Sequence, residues 1–136
     1  GNQTYNGIVA LRANTVVDSS ANGVIRFNGA LTGPFSLTAN TGGQTRFNDI
    51  VDIASLTTDA GGTTLINGGL IRTSGMQSFG DAVTLGANTV FDSTGNGNII
   101  FLSTVDGNFL LDARTGELLR MIGEVGLAGT RIEVVP

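Results

Sequence analysis

One motif occurs three times in this chain, as Gly23-Val-Ile-Arg-Phe-Asn28, Gly43-Gln-Thr-Arg-Phe-Asn48 and Gly62-Thr-Thr-Leu-Ile-Asn67. The copies begin at positions 23, 43 and 62. In each copy the second and fourth residues after the Gly are apolar or Thr, so these side chains share one side of a strand. This period of about 20 residues is typical of a solenoid in which each repeat forms one coil.

A longer period contains the shorter one. The segment Gly1–Phe27 returns without a gap as Gly75–Phe101, and we call this period the long repeat. We therefore interpret the chain as a single β-solenoid segment with one long repeat at 1–74 and a diverged copy at 75–136. The pattern loosens from about residue 108, which makes 108–136 the candidate end coils.

Three rows of strands can be read within each coil, separated by corners rich in Gly and Asn. These residue types tolerate the left-handed backbone conformation that sharp corners require. The pattern predicts an all-β parallel β-helix, a β-solenoid with three strands per coil of about 19–26 residues. Two-residue hairpins at the Asn-Gly corners would instead give an antiparallel meander, but hairpins do not explain the sustained period. The corners are Asn22-Gly23, Gly42-Gly43, Gly61-Gly62, Gly68-Gly69 and Asn96-Gly97.

Two sets of residues are expected to stack from coil to coil. The first set is an inward apolar row that forms the core, consisting of Phe27, Phe47, Ile66 and Phe101. The second is a corner ladder that follows the inward residues and consists of Asn28, Asn48 and Asn67. Stacked Asn side chains can donate and accept between copies, so we predict a ladder that satisfies buried amides. A site for a polar ligand or an ion is the alternative interpretation of the Asn row.

Composition excludes several classes of function. The 136 residues contain no Cys and no His, and their net charge is −4. We therefore predict no disulfides, no thiolate metal site and no nucleic-acid partner, since a nucleic-acid binder needs a concentrated basic face. No apolar run is long enough to cross a bilayer, Trp is absent and there is one Tyr, so we predict no membrane insertion.

Catalysis would have to rely on carboxylates. Asp49 and Asp52 are close in sequence, but in an extended segment they lie on opposite faces. Asp18 and Asp92 are equivalent positions of the long repeat, so several coils separate them. Glycoside hydrolysis needs two carboxyl groups that face each other across a gap of roughly 5–9.5 Å. We predict no enzyme activity, no catalytic residues and no cofactor.

Ion binding and ice binding are weaker alternatives. A calcium-binding β-roll needs tandem Gly-rich nonapeptides, and the sequence has none, so we predict no metal site. An isolated calcium ion near Asp49, Asp52 or Asp59 is the alternative. Ice binding would use a regular array of Thr, whereas Thr38, Thr57 and Thr84 are irregularly spaced.

Four segments carry a resemblance to a known family. They resemble repeats of filamentous-haemagglutinin-like adhesins, the large β-strand repeat exoproteins of bacteria. The resemblance implies a right-handed parallel β-helix, export to the exterior of the Gram-negative outer membrane, and no catalytic residues. It covers the chain well from the first residue to about position 108. The segments are Val83–Phe91, Ser103–Gly107, Ser36–Gly43 and Ala54–Thr64.

The sequence and the resemblance together favour a structural or adhesive role. We expect a segment of a secreted bacterial surface fibre that acts as a rigid β-helical shaft or adhesin. A filament subunit that assembles head to tail is the alternative, and a polysaccharide-active enzyme or an ice-binding solenoid is less favoured. The expected partners are flanking repeats of a longer exported chain or further copies of this one. A host glycan or protein receptor is a further candidate.

Overall fold

A computed structural model describes the backbone of residues 1–115, 119–121 and 125–134, and the side chains of residues 1–115. The described residues form eighteen strands and no helix. In chain order the strands are β1 (Gln3–Tyr5), β2 (Val9–Ala10), β3 (Thr15–Ser19), β4 (Ile25–Phe27), β5 (Leu31–Thr32), β6 (Ser36–Thr41), β7 (Gln44–Phe47), β8 (Val51–Ile53), β9 (Ser55–Thr58), β10 (Thr63–Ile66), β11 (Leu70–Thr73), β12 (Gln77–Phe79), β13 (Ala82–Leu85), β14 (Thr89–Ser93), β15 (Ile99–Phe101), β16 (Val105–Thr115), β17 (Leu119–Met121) and β18 (Val125–Val134).

These strands wind into a parallel β-helix with three faces. Face A consists of β1, β4, β7, β10, β13 and the first part of β16. Face B consists of β2, β5, β8, β11, β14 and the last part of β16, and face C of β3, β6, β9, β12, β15 and β17. β16 runs from face A to face B, and β18 pairs with it in parallel along both parts. The described residues thus form six coils and part of a seventh, which confirms the predicted β-solenoid.

The register between strands measures the length of each coil. Equivalent positions on face A are residues 3, 25, 45, 64, 83, 105 and 125. The same spacings of 22, 20 and 19 separate the stacked corner Asn residues of the first coils, and all of them lie within the predicted range. The prediction that 108–136 are end coils falls partly on residues 116–118, 122–124 and 135–136, which lie outside the described part of the chain.

Every second residue of a strand points into the interior of the β-helix. Along β6, for example, Leu37, Ala39 and Thr41 are buried, while the residues between them face outward. Backbone hydrogen bonds connect each coil to the next, as from Asn48 N to Phe27 O (2.9 Å). Burying one large apolar side chain stabilises the fold by about 1.5–3 kcal/mol, so a row repeated on every coil supplies a continuous core.

The contacts of the first copy of the long repeat recur in the second. The hydrogen bonds from Ser19 Oγ to Gly1 O, Gln3 Nε2 to Asp18 O and Thr41 Oγ1 to Gly23 O are matched by those from Ser93 Oγ to Gly75 O, Gln77 Nε2 to Asp92 O and Thr115 Oγ1 to Gly97 O. Corner residues Asn22 and Asn96 both have a positive φ, of 59° and 62°. The long repeat is therefore a structural repeat as well as a sequence repeat.

This repeat does not return to the same face. Residues of β1 correspond to those of β12, and residues of β3 to those of β14, so the offset is eleven strands. Because a coil has three strands, eleven strands are one short of four coils. The second copy is consequently rotated by one face: face A positions move to face C, and face C positions to face B.

One predicted core contact is wrong, because the second copy of the long repeat is rotated by one face. Phe27 stacks on Phe47, with ring centroids 5.6 Å apart and planes 3° from parallel, and Ile66 is the next register partner, as predicted. Phe101 is buried but lies on face C, where it stacks on Phe79 at 5.1 Å. Since Phe101 is the repeat equivalent of Phe27, the eleven-strand offset carries it to the neighbouring face.

Candidate binding surfaces

A groove runs along the corner between faces B and C. The third coil turns this corner with a single residue, Ala54, whereas the second and fourth coils use the longer segments 33–35 and 74–76. The short corner leaves an indentation of about 390 Å³ between its neighbours. Gly33 forms part of one wall with a φ of +124°, and a Cβ there would approach the backbone oxygen of Leu11 to 2.6 Å. The lining residues are Thr32, Gly33, Pro34, Asp52, Ile53, Ala54, Ser74 and Thr94.

Hydroxyl groups and one carboxylate give the groove its chemistry. Ser74 Oγ and Thr94 Oγ1 donate weakly to backbone oxygens, at 3.4 and 3.3 Å. The side chain of Asp52 is exposed and has no hydrogen-bond or ion-pair partner among the described residues. With a single carboxylate, the groove does not contain the two facing acids that glycoside hydrolysis uses.

The carboxylates considered in the sequence are not brought together. Asp49 lies exposed in the corner between faces A and B, where its Oδ1 accepts from Ile50 N (2.7 Å). Asp52 lies on face B and Asp59 follows face C. Asp18 and Asp92 lie on faces C and B. Among the residues with described side chains, no three carboxylates or other metal-ligating groups form a cluster.

A carboxylate that was not predicted from the sequence lies in the interior. Asp81 is 3% exposed, and it accepts hydrogen bonds from Thr58 Oγ1 (2.8 Å) and Thr64 Oγ1 (2.9 Å). Burial raises the pKa of Asp81 above its ordinary value of 3.8, although the two Thr hydroxyls act in the opposite direction. Alternation could have revealed it, because Asp81 precedes the inward Val83 by two positions.

The predicted Asn ladder is present, but it lies at the surface. Asn48 Nδ2 donates to Asn28 Oδ1, and Asn67 Nδ2 donates to Asn48 Oδ1, each at 2.8 Å. Asn28 extends the ladder by donating to Asn6. Asn28 and Asn67 are exposed and Asn48 is half-buried, so the expectation of buried amides was wrong. The ladder ends at Gly86, where a Cβ would overlap Asn67 Oδ1.

Two arginines stack beside this ladder on face A. Arg26 and Arg46 are register partners on β4 and β7, and each precedes a ladder Asn by two positions, so they share its face. Arg46 Nε donates to Gln44 Oε1, whereas Arg26 Nε is buried without a hydrogen-bond partner. Neither arginine has an ion pair among the residues whose side chains are described. We call Arg26, Arg46 and the four Asn the donor surface.

The Thr residues considered for ice binding are divided between faces. Thr38 and Thr57 are register partners on face C, with Ser78 as the next residue of that row. Thr84 lies on face A. Thr84 therefore does not belong to the row of Thr38 and Thr57, whose next member is a Ser.

Comparisons with known proteins give no identification. No family model, no curated protein and no solved structure matches this chain. Within the described part of the chain, no helix has the length and apolar character needed to cross a membrane.

Proposed function

We propose that this chain is a segment of a rigid β-helical shaft in a secreted bacterial surface fibre with an adhesive role. The rotation of the long repeat by one face is the observation that carries this proposal. A unit that keeps its hydrogen bonds while moving to the next face can be built on more than one face of the β-helix. Such a unit suits a rod that extends by repetition better than an enzyme, which needs its catalytic groups gathered at one site.

The contacts along the axis suit a load-bearing role. Backbone hydrogen bonds, the Asn ladder and the aromatic stacks all connect one coil to the next. In a stacked-repeat protein each coil contacts only its neighbours, so stability accumulates along the rod. Six coils at a strand spacing of about 4.8 Å make a rod on the order of 29 Å long.

Immunogold electron microscopy on the producing cells tests this proposal. Antibodies raised against the purified chain are applied to intact cells and to thin sections, with pre-immune serum as the control. We expect gold particles on fibres outside the outer membrane. Label confined to the cell interior would overturn the proposal.

A head-to-tail filament subunit is the second candidate, favoured by the edge of the first coil. Strands β1, β2 and β3 lack a partner on their outer side among the described residues. Ile8 and Val16, close to this edge, are 76% and 64% exposed. Unpaired strand edges pair readily with further strands, whether these belong to the same polypeptide or to a second copy.

Electron microscopy of the purified chain over a concentration series separates the two candidates. Head-to-tail pairing is a heterologous contact, which grows into open filaments. Filaments that lengthen with concentration would support the subunit role. Short rods of constant length at every concentration would rule it out and leave the shaft proposal intact.

A further inference from the structure

We propose that the donor surface on face A binds a linear acidic polysaccharide through its carboxylate groups. This inference goes beyond the shaft role and does not require it, because it concerns a ligand of the isolated chain. It rests on three features of the surface, taken over the residues whose side chains are described: two adjacent cations without counter-charges, a row of amides beside them, and the absence of stacking groups.

The arginine pair is the first feature. Like charges directly opposite each other on neighbouring strands are destabilising, yet Arg26 and Arg46 occupy such positions. The adjacent positions in their row, Thr4 and Leu65, carry no charge. Because the described side chains supply no carboxylate to this pair, an anionic ligand would relieve the repulsion. Guanidinium groups bind carboxylates in a two-pronged geometry, and Gln44 orients Arg46 from one side.

The Asn ladder is the second feature. Each amide has two N–H donors, and the ladder uses one of them in the bond to the preceding Asn. The second N–H of Asn28 and Asn67 remains available on an exposed side chain. The surface therefore presents donors in a line along the axis at the strand spacing. A polymer with regularly placed oxygen acceptors matches this arrangement better than a single small anion does.

The absence of stacking groups distinguishes a polysaccharide from a nucleic acid. Proteins that bind single-stranded nucleic acid combine a positive groove with aromatic side chains on which bases stack. On face A the nearest aromatic rings, Tyr5, Phe27 and Phe47, are stacked on one another along the inward row. With two arginines in a chain of net charge −4, the surface suits a carboxylated polymer whose hydroxyls also accept from amides.

Binding of fluorescently labelled polygalacturonate to the full chain tests this proposal. Fluorescence anisotropy at about 0.1 M salt, where the Debye length is about 10 Å, gives the affinity, with dextran as the neutral polymer and single-stranded DNA as the phosphate polymer. Arg26→Gln and Arg46→Gln each remove one cation from the surface. Arg12→Gln is the matched control, because Arg12 is exposed in the corner between β2 and β3, away from the donor surface.

We expect polygalacturonate to bind and dextran not to bind. Each donor-surface variant should weaken binding about tenfold or more, the effect of losing a charge-assisted hydrogen bond, while Arg12→Gln stays within about twofold of the original chain because it removes only distant, screened charge. Arg46→Lys, which keeps the charge without the fork, should be intermediate.

Three results would overturn the proposal. The first is that polygalacturonate does not bind, or binds no better than dextran. The second is that Arg12→Gln weakens binding as much as Arg46→Gln does, which would indicate a general charge effect. The third is tighter binding of single-stranded DNA, which would indicate a nucleic-acid surface. Circular dichroism and urea unfolding of each variant show that the fold is retained, and none of these readouts depends on fibre formation.

Discussion

Faces A and B have the same strand spacing but opposite arrangements of charge. On face B the successive register partners Asp52, Arg72, Asp92 and Arg114 alternate in sign, and Arg72 Nε lies 3.4 Å from Asp92 Oδ2. On face A the successive partners Arg26 and Arg46 have the same sign. Because a β-helix stacks equivalent positions at one spacing, the order of charges along the axis decides whether neighbouring side chains on a face attract or repel one another.

The largest effect should come from the interior that both faces share. Phe47 lies beneath face A and Phe91 beneath face B, and both are fully buried. We expect Phe47→Ala and Phe91→Ala each to lower the free energy of unfolding by about 3–5 kcal/mol, because truncation leaves a cavity. Urea unfolding measures both losses. Losses that differ severalfold would show that the interior, and not only the surface, distinguishes the faces.

Reversing one charge on face B should break its alternation. Asp92→Arg places three like charges in consecutive positions with Arg72 and Arg114. We expect the free energy of unfolding to fall by about 1 kcal/mol at low salt, and most of this loss to disappear at high salt through screening. Urea unfolding at the two salt concentrations measures the effect, with Asp92→Asn as the uncharged control. An equal loss for both variants would contradict an electrostatic origin.

The buried Asp81 belongs to neither charged row and predicts a pH dependence. Its pKa is raised in the folded state, so the folded protein binds the proton more tightly than the unfolded chain does. The contribution of protonated Asp81 to stability is fully present at pH values below the pKa of Asp81 in the unfolded chain. This contribution is lost as the pH rises through the pKa of Asp81 in the folded protein. We expect Asp81→Asn, which mimics the protonated carboxyl, to gain stability relative to the original chain as the pH rises.

Urea unfolding of both proteins from acid to neutral pH measures this gain. Thr38→Ala, a change on the outward row of face C, serves as a control that should leave the pH dependence unchanged. A constant difference between Asp81→Asn and the original chain at all pH values would refute the assignment of the pH dependence to Asp81.

Giving face A the pattern of face B should have the smallest effect on stability. Arg46→Glu puts opposite charges on neighbouring strands, and we expect the free energy of unfolding to rise by about 0.2–1 kcal/mol at low salt. The same variant should abolish polygalacturonate binding, because it removes a cation and adds an anion. Urea unfolding and anisotropy measure the two effects, with Arg46→Gln as the neutral control. A loss of stability would show that the arginine pair is not under repulsion.

Much of the fold could be predicted because it depends on local periods. Alternation of side chains identified the inward positions of Phe27 and Phe47, and the spacing between their two motif copies placed them in register. The Asn row that follows them was correctly expected to stack, but it was wrongly expected to be buried. The arginine pair beside the Asn ladder and the groove were not predicted. Predicting the arginine pair as a binding surface requires knowing that no described carboxylate lies close to it. Predicting the groove requires knowing the lengths of three neighbouring corners.

The sequence by itself determined the coil period, the alternation of each strand and the surfaces that stack between adjacent copies of the short motif. Only the tertiary structure decided which face each strand occupies. Corners between faces B and C range from the single Ala54 to the longer segment 94–98. The position of a residue in the sequence therefore does not by itself tell which face the residue occupies. The winding of the chain through these unequal corners places Phe101 one face away from Phe27 and brings Asp81 against Thr58 and Thr64. Backbone pairing between coils settles the rotation, because each strand must align with its partner in the coils above and below.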